Sequence, residues 1–197
     1  GASISRHPRI GWDSAPSVTE ELEAVRVRLA EIEKAAKGAS LYWPIGNHDA
    51  RFETYLADKA PQFEGVAGFA LKDHFPAWTP CMSVWINGDL VIKHRLGGGA
   101  NAASTNARTS GKSMVTGHLH SLKVSPITDY NGTRFGVDTG TLARPYGQQF
   151  LYTEDNPVDW RAGFAVFKFI DGKMMWPQVA AVREEGVMEY CGKIYNV

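Results

Sequence analysis

Leu22, Val25, Leu29 and Ile32 recur at helical spacing among charged residues, directly after Ser17-x-x-Glu20. That spacing puts one apolar stripe on a helix, and the Ser-x-x-Glu pattern is a capping box that starts it. The helix is predicted to end near Gly38. Leu41-Tyr42-Trp43-Pro44-Ile45 follows as a short apolar run, predicted as a buried strand with Pro44 near its exit. A second helix is predicted from Arg51 to Ala60, stopped by Pro61. Beyond it the pattern turns to short apolar runs separated by turn residues. Met82–Ile86 and Leu90–Lys93 flank Asn87-Gly88-Asp89, the strongest short signal for a hairpin. Further strands are predicted at Ser113–Thr116, Leu122–Thr128, Thr133–Asp138, Gly163–Ile170 and Gln178–Val182, with turns at Asn131-Gly132 and Asp171-Gly172. Residues 1–16 carry no periodicity and read as a loop. The pattern as a whole is α/β with a β-rich second half.

Composition narrows the function classes. The 197 residues are 44% hydrophobic and 21% charged, ordinary values for one folded domain. Lys plus Arg equals Asp plus Glu, so no global basic charge pulls the chain toward nucleic acid. Cys81 and Cys191 stand far apart without Cys-x-x-Cys spacing, which argues against a disulfide framework or a thiolate zinc site and for a reducing, cytoplasmic setting. No apolar run approaches the ~20 residues that span a bilayer, so no membrane association is expected.

The candidate chemistry lies where strands end. Ile45 leads into Gly46-Asn47-His48-Asp49, Ile92 into His94, and Thr116 into Gly117-His118-Leu119-His120. Divalent ions of the Mn, Fe, Zn or Ni type take imidazole nitrogens and carboxylate or amide oxygens, and loops leaving buried strands place such groups rigidly. In His-x-His on an extended or turning backbone the two rings diverge, so they suit neighbouring ions better than one. Gly46 and Gly117 are the residues expected to let the backbone turn. Each motif alone is also satisfied by an ordinary turn or an ordinary histidine. Their order, each after an apolar strand, favours the functional reading.

Gly-Asn-His-Asp, the middle His94 and Gly-His-Leu-His together resemble the calcineurin-like metallophosphoesterases. Softer matches at Ser3-Ile4-Ser5-Arg6-His7-Pro8, Gly97-Gly98-Gly99, Trp160-x-x-Gly163-Phe164 and Gly192-Lys193-Ile194-Tyr195 look like the phage-type branch. The resemblance implies a two-sheet β-sandwich flanked by helices and metal-assisted hydrolysis of a phosphate ester, with a nucleotide or nucleic acid among the candidate substrates. It implies Asn47, His94 and His118 as ligands of one ion and His120 as a ligand of its neighbour. His48 would be the catalytic histidine beside the metals, and Asp49 the residue that orients it. The family's Asp-x-His strand and Gly-Asp-x-x-Asp loop have no counterpart, and Gly88-Asp89, with Ile92 where the second Asp should fall, reads as a turn. Residues 1–197 are therefore expected to form a single, partial domain with its first strands missing, binding at most one divalent ion where the intact family binds two. The expectation is impaired phosphoesterase activity, with a catalytically inert fragment or binding scaffold as the alternative. An apolar sheet edge left by the absent strands is expected to drive self-association as a homodimer. His7 and His74 fall outside the pattern and are expected to be solvent-facing or core histidines. Trp43, Trp78, Trp85, Trp160 and Trp176 are expected to serve packing. Gly97–Gly99 is expected to be a flexible loop.

Overall fold

In the computed structural model, residues 3–5, 16–143, 150 and 153–197 are described. His7, Arg6 and Pro8, and most of the loop expected over 1–16, lie outside them. The chain divides into two compact units, Gly1–Met82 and Ser83–Val197, and the described residues are mixed α/β, with several sheets, few helices and no barrel among them.

The first unit begins with α1, Val18–Ala35, and the capping box forms as expected. The Ser17 side chain accepts from the Glu20 N–H at 3.2 Å, and the Glu20 carboxylate accepts from the Ser17 N–H at 2.7 Å. The capping bonds hold Glu20 below the usual carboxylate range. Strand β1, Tyr42–Pro44, leads through α2, Ala50–Lys59, and two short 3-10 turns to β2, Thr79–Cys81. β1 and β2 pair in parallel, Trp43 opposite Pro80. β1 is half-buried rather than buried, with Tyr42 exposed, because it belongs to a two-stranded ribbon. None of the residues of α1 or α2 is buried, and Val25 and Ile32 of the α1 stripe are exposed.

The second unit holds the core. Strands β3 (Val84–Ile86), β4 (Leu90–Lys93), β5 (Ser113–Thr116), β6 (Lys123–Asp129) and β7 (Gly132–Asp138) form one sheet in the order β3-β4-β5-β7-β6. β4, β5 and β7 run parallel; β3 and β6 are antiparallel at the edges. The Asn87-Gly88 turn forms, both residues having positive φ. Every residue of β5 is buried, as expected of a central parallel strand covered on both faces. Leu90, Val115, Phe135 and Val137 pack on one face against Ala165, Phe167, Phe169 and Met174. Val91, Met114 and Ile127 pack on the other with Ala107. Ala107 belongs to α3, Ala102–Ser110, an element absent from the sequence-based expectation.

The predicted strand over Gly163–Ile170 is two: β8, Gly163–Val166, and β9, Phe169–Ile170, which forms a small hairpin with β10, Lys173–Met174. β8 joins an antiparallel sheet with β11 (Gln178–Glu184), β12 (Val187–Tyr190) and β13 (Lys193–Asn196), in the order β13-β12-β11-β8. The Gly97 end of the glycine loop is pinned rather than loose. The buried Asn106 of α3 accepts from the Gly97 N–H at 2.8 Å, and a Cβ on Gly97 would lie 3.0 Å from that oxygen.

Candidate functional site

Three parallel strands end side by side and carry the histidines. Lys93 of β4 stands opposite Thr116 of β5, and Thr116 opposite Asp138 of β7. Pairing continues one step beyond, with the Gly117 N–H donating to the His94 carbonyl at 3.1 Å and the Thr139 N–H to the Thr116 carbonyl at 2.9 Å. His94, His118 and Asp138 thus leave the same edge, the carboxyl ends of parallel strands, where crevices in α/β sheets form. His94 Nε2 and His118 Nδ1 lie 3.0 Å apart, with the two rings nearly perpendicular.

The turn after β5 is strained. His118, His120 and Leu122 have φ of 68°, 62° and 44°, a left-handed region that costs residues with a Cβ about 1–2 kcal/mol each. Gly117, the residue expected to absorb the bend, does not take a positive φ, and the space beside it would admit a Cβ. The Leu119 N–H donates to the Gly117 carbonyl at 2.7 Å, closing a three-residue turn on His118, the rarer form of that turn when its centre is left-handed. Long-range contacts hold it. The Ser121 N–H donates to Asp138 Oδ1, the Arg161 N–H to the His120 carbonyl at 2.7 Å, and the Arg161 guanidinium to the Ser121 carbonyl. The Trp160 ring meets the His120 ring edge-on at 5.2 Å. Trp160 therefore supports the histidine, whereas Trp85 and Trp176 are largely exposed.

Burial makes His118 and His120 harder to protonate. Burial, above all, lowers the His118 pKa, helped by the charges of Arg95 and His120 and opposed by Asp138. Burial likewise lowers that of His120 against the pull of Asp138. Neutral imidazole is the ligating form. Asp138, 1% exposed, is the residue that sequence reasoning missed; a strand-end Asp followed by Thr-Gly carries no motif of its own.

Asn47, His48 and Asp49 sit on a turn of the first unit between β1 and α2, Asn47 and Asp49 half-buried and His48 exposed. Asp49 closes it, accepting from the Gly46 N–H at 2.7 Å and from the Trp43 indole at 3.3 Å. Neither Gly46 nor Asn47 takes a positive φ, so left-handed backbone is not what this turn needs from them. His74, outside the pattern, bonds the Gly68 carbonyl at 2.8 Å and meets Phe52 edge-on.

His94 and His118 by themselves are a two-nitrogen set, fewer than the three or four protein ligands that a zinc ion takes. Two nitrogens on one tetrahedral zinc, each about 2.1 Å from it, stand roughly 3.4 Å apart, close to the 3.0 Å between His94 and His118. His120 Nδ1 and Asp138 Oδ2 are buried polar atoms with no hydrogen-bond partner among the described residues, as expected of groups kept for a ligand or water. Among the described residues no group of three or more His, Cys, Asp or Glu is arranged to hold a metal ion, and no helix is long and apolar enough to cross a membrane. Compared with protein-family models, with curated proteins and with solved structures, the chain matches none.

Proposed function

We propose that the chain is a metal-dependent phosphoesterase of the calcineurin-like kind, phage-type branch, with weak activity because these residues supply too few ligands for two ions. The observation that carries this reading is the convergence of His94 and His118 at the carboxyl ends of adjacent parallel strands. The two-sheet layering of the second unit, with α3 on the outer face, suits the sandwich expected of that family. A bound divalent ion supplies a Lewis acid for a phosphoryl oxygen and activates water. His94 and His118 would hold it through their ring nitrogens, and Trp160 packs edge-on against His120 of the same turn. Arg95, whose charge reaches His118, is a cation for an anionic phosphate ester, with nucleotides or nucleic acid as the substrate class. Free thiols at Cys81 and Cys191 suit a cytoplasmic setting. The exposed Val25 and Ile32 of α1 favour self-association as a homodimer.

Elemental analysis after loading with Mn²⁺ or Zn²⁺ tests the metal reading. At most one ion per chain is expected, lost in His94→Ala and His118→Ala and kept in His74→Ala. Hydrolysis of bis-p-nitrophenyl phosphate is expected to be slow and metal-dependent, and to vanish in His94→Ala and His118→Ala. No bound ion at all sinks the reading. The inert scaffold is favoured by the lack of any three-ligand group among the described residues; it predicts no hydrolysis with or without added metal. Sedimentation as a monomer up to near-millimolar concentration would exclude the dimer.

A further inference from the structure

The buried residues of α3 are three alanines and Asn106. At 2% exposure, an asparagine there suits neither helix nor core, being a poor helix former with an amide that is costly to bury unpaired. Its amide is spent on the backbone of one residue. Oδ1 accepts from the Gly97 N–H at 2.8 Å, and Nδ2 reaches the Gly97 carbonyl at 3.5 Å. Gly97 lies three residues beyond His94, whose own carbonyl accepts from the Gly117 N–H at 3.1 Å. The stretch from His94 to Gly97 is therefore tied to β5's end on one side and to α3 on the other. Arg95 and Leu96 between the ties are exposed, so packing does little to fix them. α3 is itself a firm support, since the Ala103 carbonyl lies against Gly136 and Ala107 is in the core.

We propose that Asn106 is a positioning residue for His94: by holding Gly97 against α3 it keeps the His94 ring within hydrogen-bond reach of His118. The 3.0 Å between His94 Nε2 and His118 Nδ1 leaves little room for drift, because a hydrogen bond stretched beyond about 3.5 Å is effectively lost and a site about 1 Å too loose fails. The consequence for ion binding rests on the metal reading above. The placement of His94 does not, and it can be read on the metal-free chain.

The test uses the whole chain, stripped of metal. Nitrogen NMR of the labelled histidines reads the scalar coupling between His94 Nε2 and His118 Nδ1 across their hydrogen bond, hydrogen exchange reads the Gly97 amide, and calorimetry with Co²⁺ alone reads ion affinity. The wild type is expected to show the coupling. Asn106→Ala is expected to speed exchange at Gly97, abolish the coupling and weaken Co²⁺ binding about 10- to 100-fold. Ala107→Gly, which weakens α3 without touching Gly97, is expected to lower the urea midpoint and keep the coupling. Loss of the coupling in Ala107→Gly as well would mean that any damage to α3 suffices, and the inference falls. It also falls if the wild type shows no coupling, or if Asn106→Ala frees the Gly97 amide while coupling and Co²⁺ affinity stay at the wild-type level; the last result leaves the metal reading intact. A wild type that shows the coupling but binds no Co²⁺ ends the metal reading alone, and loss of the coupling in Asn106→Ala still supports the positioning role. Should Asn106→Ala fail to fold, Asn106→Leu decides, since it roughly keeps the volume, favours the helix and removes both bonds to Gly97. Its coupling is expected to vanish, and a retained one overturns the proposal.

Discussion

The chain carries two histidine turns that read alike in sequence and are built in opposite ways. Gly46-Asn47-His48-Asp49 closes on itself: Asp49 reaches back three residues to the Gly46 N–H, with negative φ at Gly46 and Asn47. It leaves a two-stranded ribbon in a unit where Phe75 is the one large hydrophobic side chain buried among the described residues. Gly117-His118-Leu119-His120 is bent against its own preference, with left-handed backbone at both histidines, and is held by Asp138, Arg161 and Trp160 from distant parts of the chain. It leaves a fully buried strand of a sheet covered on both faces. Strain of this kind persists only where the surroundings over-determine it. The second turn is therefore the one on which the functional proposal rests.

The sharpest way to break the comparison is to damage the support under each turn. Leu90→Ala removes a completely buried side chain from the second unit's core and should cost about 2–5 kcal/mol. Gly136→Ala should cost several kcal/mol as well, since its Cβ would fall 1.8 Å from the Ala103 carbonyl oxygen and drive α3 off the sheet. Ile32→Ala, on the exposed stripe of α1, should change stability by no more than about 0.5 kcal/mol. Urea unfolding measures all three. Equal losses at Leu90 and Ile32 would mean that α1 is packed as tightly as the core.

Those same residues explain what could be read in advance. β4 and β5 were legible to the residue because they are continuous apolar runs bounded by turn signals, and α1 because its cap and stripe agree. α3 was not, since Ala-Ala-Ser-Thr-Asn-Ala-Arg-Thr-Ser has no stripe of large apolar residues. It docks by small size instead, Ala103 lying over Gly136 and Asn106 holding Gly97, and such contacts exist only once the chain has folded. The proximity of His94 and His118 was foreseeable from strand ends. The bend falling on the histidines rather than on Gly117 was not, because local preference assigns it to glycine and only the contacts from Asp138 and Arg161 reverse that choice.

A smaller effect separates the turns directly. Asp49→Ala removes the acceptor of the Gly46 N–H, a hydrogen bond worth about 0.5–1.5 kcal/mol. His118→Gly should act in the other direction, raising metal-free stability by up to about 1 kcal/mol as the left-handed strain is released, while abolishing metal retention. Thermal unfolding with and without Zn²⁺ reads both variants. A destabilised His118→Gly in the absence of metal would mean that the imidazole's packing outweighs the backbone strain.

The smallest expected effect is the pH dependence that the second turn confers. Burial lowers the pKa of His118 and His120 from the ordinary 6.5, so the unfolded chain takes up these protons before the folded one does. Stability is then fully present above about pH 6.5 and declines as the pH falls from there toward the folded-state values. The effect is modest because both rings keep contact with solvent and Asp138 partly restores their basicity. Urea midpoints measured from about pH 7.5 down to about pH 5 should fall, and the fall should flatten in His118→Asn and His120→Asn. A midpoint that holds steady or rises on acidification would mean that Asp138 stabilises the protonated rings of His118 and His120 at least as much as burial opposes them.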